Sequence, residues 1–209
     1  MTGLREQKKR QVRDDILTAA GDLFAARGFE DVTVEEVADA AGVSKKTVFN
    51  YFPAKEDLVF SRFDERENEL IAAVRGRPPG RSVLESFRAS SLTYCDRLAD
   101  AAPGTERGRA FALIEQSPVL ARRWHQLRNH YLEVLAGELA AEAGAEADDP
   151  LPTAVAAALL GAERAVRRAA AMRLRAGAGP TAAAAWLRPQ IDRIYDRLAT
   201  GLAGYPAER

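Results

Sequence analysis

The chain has a single cysteine, Cys95, in 209 residues, so no intramolecular disulfide can brace it and a reducing, cytoplasmic setting is expected. It has no run approaching the ~18 uncharged apolar residues that a membrane-spanning helix requires, so no membrane partner is expected. The opening stretch, MTGLREQKKRQVRDD, is polar and charged, unlike a secretory signal peptide. Net charge is absent too: 30 basic side chains balance 30 acidic ones, which argues against a uniformly basic nucleic-acid binder. No Gly-rich phosphate loop and no nucleophile beside a base motif can be found. His125 and His130, the two histidines, stand five residues apart and do not share a helical face, which makes them a poor metal pair. Catalysis, cofactor and metal therefore have no carrier, and the chain is not expected to be an enzyme.

Strand-like alternation is also hard to find, and what remains reads with helical period almost throughout. A first helix is expected from about Arg5 to Arg27, closed by Gly28. Thr33 and Glu36 have the spacing of a capping box, so a second helix starts after Thr33 and is interrupted at Gly42. Ser44 caps a third, which ends by Phe52 because the residue before Pro53 is pushed out of helical geometry. A long helix follows from Pro53 to about Val74, then one from the Ser82–Glu85 capping box to about Asp100, and one over roughly 105–115. Ser117 and Pro118 open a helix with Leu120, Trp124, Leu127, Tyr131, Val134 and Leu135 on one face. Two alanine-rich helices, about 151–175 and 181–203, complete an all-α chain of about nine helices.

Charge is distributed unevenly. All five lysines fall in the first 55 residues, and residues 40 to 55 hold three of them and no acid. Residues 33 to 52 read as helix, tight turn, helix: Ala38 is small where two helices cross, and Gly42 supplies the positive φ that the turn needs. Val37, Ala41, Val43 and Val48 are apolar where the helices clamp together. At about 100° per residue, Val48 and Phe52 point inward, whereas Lys46 and Asn50 point furthest outward. Lys45 and Phe49 flank on one side, Thr47 and Tyr51 on the other. Such a face carries donors for base edges and phosphates, an apolar ring for thymine methyls, and nothing that repels phosphate. Lys55, at the start of the next helix, would meet the backbone where a helix N-terminus already favours an anion.

The stretch LFAARGFEDVTVEEVADAAGVSKKTVFNYFPAKEDL, Leu23 to Leu58, resembles the amino-terminal domain of the TetR family of bacterial transcriptional regulators. The resemblance implies a helix-turn-helix DNA-binding domain over 1–60 and a helical effector-binding and dimerisation domain over 61–209. It also implies a homodimer on a palindromic double-stranded operator. Thr33 would hold a phosphate at its helix start, Lys45, Lys46 and Thr47, with Ser44 at the cap, would lie against the groove, and Phe49, Tyr51 and Lys55 would hold the backbone. The family most often has tyrosine at Phe49, so that residue is left with packing rather than a phosphate hydrogen bond. Asn50 stands at a variable position and is read as a specificity residue.

In the family a pocket for a small-molecule effector opens among the helices of the body. Candidates to line it are Phe87, Tyr94, Phe111, Trp124, His125 and Tyr131; Trp124, His125 and Tyr131 combine an apolar body with a polar handle. Ala158, Gly161 and Ala165 form a small-residue face, and Trp186, Ile191 and Ile194 belong to an apolar stripe. Both suit the four-helix dimer bundle that the family builds from its last two helices. The expected function is a ligand-responsive homodimeric repressor, with its effector unknown. An activator of the same fold is the near alternative, and an all-α enzyme or adaptor using the helix-turn-helix for protein contacts the distant one.

Overall fold

The computed structural model describes residues 2–100, 113–114 and 116–202. Among these the chain is all helical: α1 (Thr2–Arg27), α2 (Val34–Ala40), α3 (Lys45–Tyr51), α4 (Asp57–Arg75), α5 (Val83–Ala99), α6 (Pro118–Ala143), α7 (Leu151–Arg175) and α8 (Pro180–Leu202). The helix expected over 105–115 falls almost wholly outside the described residues. Local chemistry sets most of the boundaries. Thr33 and Ser82 each accept a hydrogen bond from the backbone N–H three residues on, and the Glu at that position accepts the cap's own N–H, which completes both capping boxes. Ser44 caps α3 by accepting from the Thr47 N–H at 3.1 Å, and Ser117 caps α6 by accepting from the Leu120 N–H at 3.2 Å.

Two helix starts differ from expectation: α1 begins at Thr2 rather than about Arg5, and α4 begins late. The fourth helix starts at Asp57 rather than Pro53, because residues 54–59 first close a tight turn. The Asp57 carboxylate accepts the Ala54 N–H at 2.9 Å, and the Asp57 and Leu58 N–H groups reach back only three residues, to the carbonyls of Ala54 and Lys55.

The chain divides into two compact units, Met1–Glu65 with Arg109–His125 and Arg66–Gly108 with Gln126–Arg209. In the first, Ile16, Leu17, Ala20 and Phe24 of α1 are buried together with Phe29, Val37, Ala38, Val48, Phe52 and Phe60. Trp124 stacks on Phe60 at 6.2 Å between ring centroids and meets Phe63 edge-on at 5.3 Å. The second unit has a core of Leu70, Val74, Phe87, Leu98, Leu135, Leu139, Leu159, Val166, Leu187, Ile191 and Tyr195, drawn from α4 to α8. Arg88 of α5 ties to Asp192 at 2.5 Å and Asp196 at 2.8 Å on α8. Within the same core the Ser91 hydroxyl and the Tyr195 phenol lie 2.9 Å apart.

Candidate nucleic-acid interface

The α2–α3 corner turns at Gly42, whose φ of 66° lies in the left-handed region where a side chain would be strained. The Val43 N–H then bonds back to the Ala38 carbonyl at 2.9 Å, locking the turn. Val48 and Phe52 are buried, as the helical phase of α3 requires, and Lys46 and Asn50 are exposed on the opposite side. Phe49 is 42% exposed, a large apolar ring presented to solvent. Ser44 and Lys45 are exposed, and Thr47 and Tyr51 half-buried. The corner therefore brings the α3 candidates onto one solvent-facing surface, with Val48 and Phe52 anchoring it from below.

Charge on this surface is arranged in ways the sequence does not foretell. Lys45 is not free: Glu35 of α2 pairs with its ammonium at 3.4 Å, an exposed contact that a phosphate can displace. Thr33 is fully engaged by its capping box. Its N–H and its hydroxyl both donate to Glu36 Oε2, at 2.8 and 2.9 Å. Arg27 donates to the other oxygen of Glu36 at 2.8 Å. The Arg27 bond first, then the two Thr33 bonds, hold the Glu36 carboxyl down at about 2. Lys55 lies two residues ahead of α4, in the turn whose Ala54 amide is already taken. Its ammonium sits 4.2 Å over the Phe29 ring and 3.4 Å from the Glu30 carbonyl oxygen.

Residues 16–61 match the family described as "Bacterial regulatory proteins, tetR family". Residues 81–203, more than half of the chain, match the "MftR C-terminal domain". The chain belongs to the TetR family. Among curated relatives of this TetR-family protein, the HTH-type transcriptional regulator TcmR of Streptomyces glaucescens is 29% identical over 151 residues, covering 70% of this chain and 67% of TcmR. The putative mycofactocin biosynthesis transcriptional regulator MftR of Mycobacterium tuberculosis is 27% identical over 146 residues, covering 70% and 73%. Among solved structures, NalD, the secondary repressor of the MexAB-OprM multidrug efflux pump in Pseudomonas aeruginosa, shares the fold with a TM-score of 0.57 at 19% identity, covering 89% of this chain and 96% of NalD. The helix-turn-helix of this TetR-family chain thus belongs to a DNA-binding transcriptional regulator and not to an enzyme.

The residues read as effector contacts in the TetR-family body are dispersed. Phe87 and Tyr131 are buried in the second unit, and Tyr94 is half-buried there with the Arg167 guanidinium 4.2 Å over its ring. Trp124 and His125 belong to the first unit, Trp124 half-buried against Phe60 and Phe63, His125 exposed. Phe111 lies outside the described residues. Of the dimer candidates, Gly161 and Ala165 are exposed and Ala158 half-buried; with Ile194, Gln190 and Leu198 they line an open groove between α7 and α8. Trp186 is at the surface under the Arg173 guanidinium, 4.1 Å from its ring centroid. Ile191 is fully buried in the subunit core.

Sequence reasoning missed one polar constellation of the second unit. Glu67 and Glu163 are 2% and 1% exposed, and Arg66 and Arg167 ion-pair with Glu163. Burial, then the charge of Glu163, pushes the Glu67 carboxyl above its ordinary range. Burial also pushes the Tyr195 phenol up, to about 12. The one signal in the sequence is that each glutamate falls on the apolar side of its helix, Glu67 among Phe63, Leu70 and Ile71, and Glu163 among Leu159, Leu160 and Val166.

Proposed function

We propose that the chain is a cytoplasmic homodimeric repressor that grips a palindromic operator through two α3 helices and lets go when a small molecule binds its body. In this reading residues 1–60 are the DNA-binding domain and residues 61–209 the effector and dimer domain. Lys46 and Asn50 read base edges, with Lys45 and Thr47 beside them. Phe49 packs against sugar or a thymine methyl, Ser44 caps α3 at the groove, and Tyr51 and Lys55 follow the backbone. A phosphate at Thr33 would be met by the free amides of the first turn of α2, because the threonine's own donors are taken.

The observation that carries the reading is the acid-free outward face of α3, held rigid by two buried anchors and a capped N-terminus. The open groove of α7 and α8 supports the dimer: small and apolar residues such as Gly161, Ala165, Ile194 and Leu198, edged by Arg193, Asp196 and Arg197, suit a second copy of the same helices. A dimer filling two successive major grooves blocks an overlapping promoter without needing any further partner. A footprint on the DNA flanking its own gene, repeated over a series of salt concentrations, tests this. Two protected half-sites about one helical turn apart, with affinity falling steeply as salt rises, are expected. A single unrepeated half-site, or salt-independent binding, would refute it, and a footprint upstream of a promoter whose transcription the protein raises would make it an activator.

A further inference from the structure

The second unit holds a charged cluster that the DNA-binding surface does not use. Glu67 comes from α4 and Glu163 from α7, and their side chains are 3% and 2% exposed. Neither carboxylate oxygen of Glu67 has a hydrogen-bond partner among the described residues, and neither does Oε2 of Glu163. Arg66 is 3.6 Å from Glu67 Oε1 and 3.7 Å from Glu163 Oε1, which is charge pairing without a hydrogen bond. Arg167 reaches Glu163 Oε1 and lies over Tyr94, and Arg164 acts on both glutamates through its charge. Buried acceptors in native proteins are almost always met by donors, and leaving a buried carboxylate unmet is costly. Three acceptor atoms in one core, all unmet, point to a donor supplied from outside the chain.

We propose that the Glu67–Glu163 cluster recognises the effector, and that the effector is a neutral molecule bearing adjacent hydroxyl groups. The proposal rests on the effector-responsive reading given above. Charge selects the class. Three guanidiniums already outnumber two carboxylates, so a cationic ligand or metal ion would add to an excess of positive charge. A carboxylate ligand brings only further acceptors, and an apolar one leaves every oxygen unmet. A hydroxyl does both jobs: its O–H donates to Glu67 or Glu163, and its lone pairs accept from a neighbouring guanidinium. The raised carboxyl of Glu67 agrees with oxygens that lack donors in the free protein. Phenolic and aliphatic diols share this chemistry.

Calorimetry on the full-length protein with four probes separates the possibilities: 4-ethylcatechol, methyl glucoside, ethylbenzene and dopamine. One of the first two should bind, and which one tells a phenolic from a sugar-like effector. Ethylbenzene, without hydroxyls, and dopamine, the same catechol with a cationic amine, should bind at least tenfold more weakly. Glu67→Gln, of equal shape, should weaken the hydroxylated probe at least tenfold, and Glu163→Gln provides a second variant should the first fail to fold. Failure of both hydroxylated probes to bind, dopamine binding as tightly as 4-ethylcatechol, or unchanged binding in both variants would overturn the assignment. DNA release is measured separately on the footprinted operator. Probe binding that leaves DNA bound keeps the site and defeats the effector reading. Release that both Gln variants leave untouched keeps the effector reading and defeats the site.

Discussion

Replacing Gly161 by Trp separates what the subunit needs from what the assembly needs. A Cβ placed on Gly161 meets no heavy atom within 4 Å, and the residue is exposed on α7. The subunit alone should therefore accept the indole, with helical circular dichroism and thermal unfolding close to wild type. In a two-fold dimer built on this face the substitution enters the contact twice. Overpacking a closely packed contact costs ~1–3 kcal/mol per insertion, so the pair should lose about 2–6 kcal/mol. That is roughly a 30-fold to 20,000-fold rise in the dimer dissociation constant, at tenfold per ~1.4 kcal/mol. Sedimentation velocity over a concentration series should show monomer or a concentration-dependent mixture, and operator affinity should collapse with it. A Gly161→Trp protein that remains a tight dimer with normal operator affinity would move the interface off the α7–α8 groove. Loss of helicity would contradict the open space that the structure gives this position.

Further outcomes follow from the first unit. Lys55→Ala should weaken specific and non-specific DNA alike and lower the slope of log affinity against log salt by about one per subunit; an unchanged slope would mean that Lys55 stays on the Phe29 ring and the Glu30 carbonyl when DNA binds. Glu36 titrates at about 2 in the folded protein against an ordinary 4.5. A depressed carboxyl lends stability that is complete above about pH 4.5 and lost as pH falls toward 2. Chemical denaturation from pH 7 to 2 should accordingly show wild type ahead of Glu36→Gln by a constant margin down to about pH 4.5, shrinking below it. A margin that does not change with pH would show that the Glu36 charge plays no part in holding Thr33 and Arg27.

The parts of this fold that could be read in advance are those governed by neighbours in sequence. The Thr33–Glu36 and Ser82–Glu85 boxes, the Ser44 and Ser117 caps and the left-handed Gly42 all act over three or four residues. The two faces of α3 follow from helical phase alone, which is why Val48 and Phe52 are inside and Lys46 and Asn50 outside. Tertiary contacts explain the rest. Glu35 finds Lys45 only because α2 and α3 cross, and Lys55 finds Phe29 across 26 residues of chain. The apolar stripe of α8 is one feature in sequence but two in space: Leu187, Ile191 and Tyr195 fill the subunit core, while Ile194 and Leu198 turn toward the groove. Asp57 delays α4 by capturing the Ala54 amide, a choice that Pro53 does not dictate. Glu67 and Glu163 lie far apart in sequence, and only the fold brings both within reach of one guanidinium, that of Arg66.

In the proposed complex α3 reads bases, with Asn50 among the residues furthest from its buried anchors. Affinities of wild type and Asn50→Ala for a complete set of single-base operator variants test it most directly. Asn50→Ala should level the discrimination at one symmetric pair of positions by ~1–3 kcal/mol per contact, with the preferences at all other positions retained. Equal weakening on every variant would make Asn50 a backbone contact and rule out base reading by this residue.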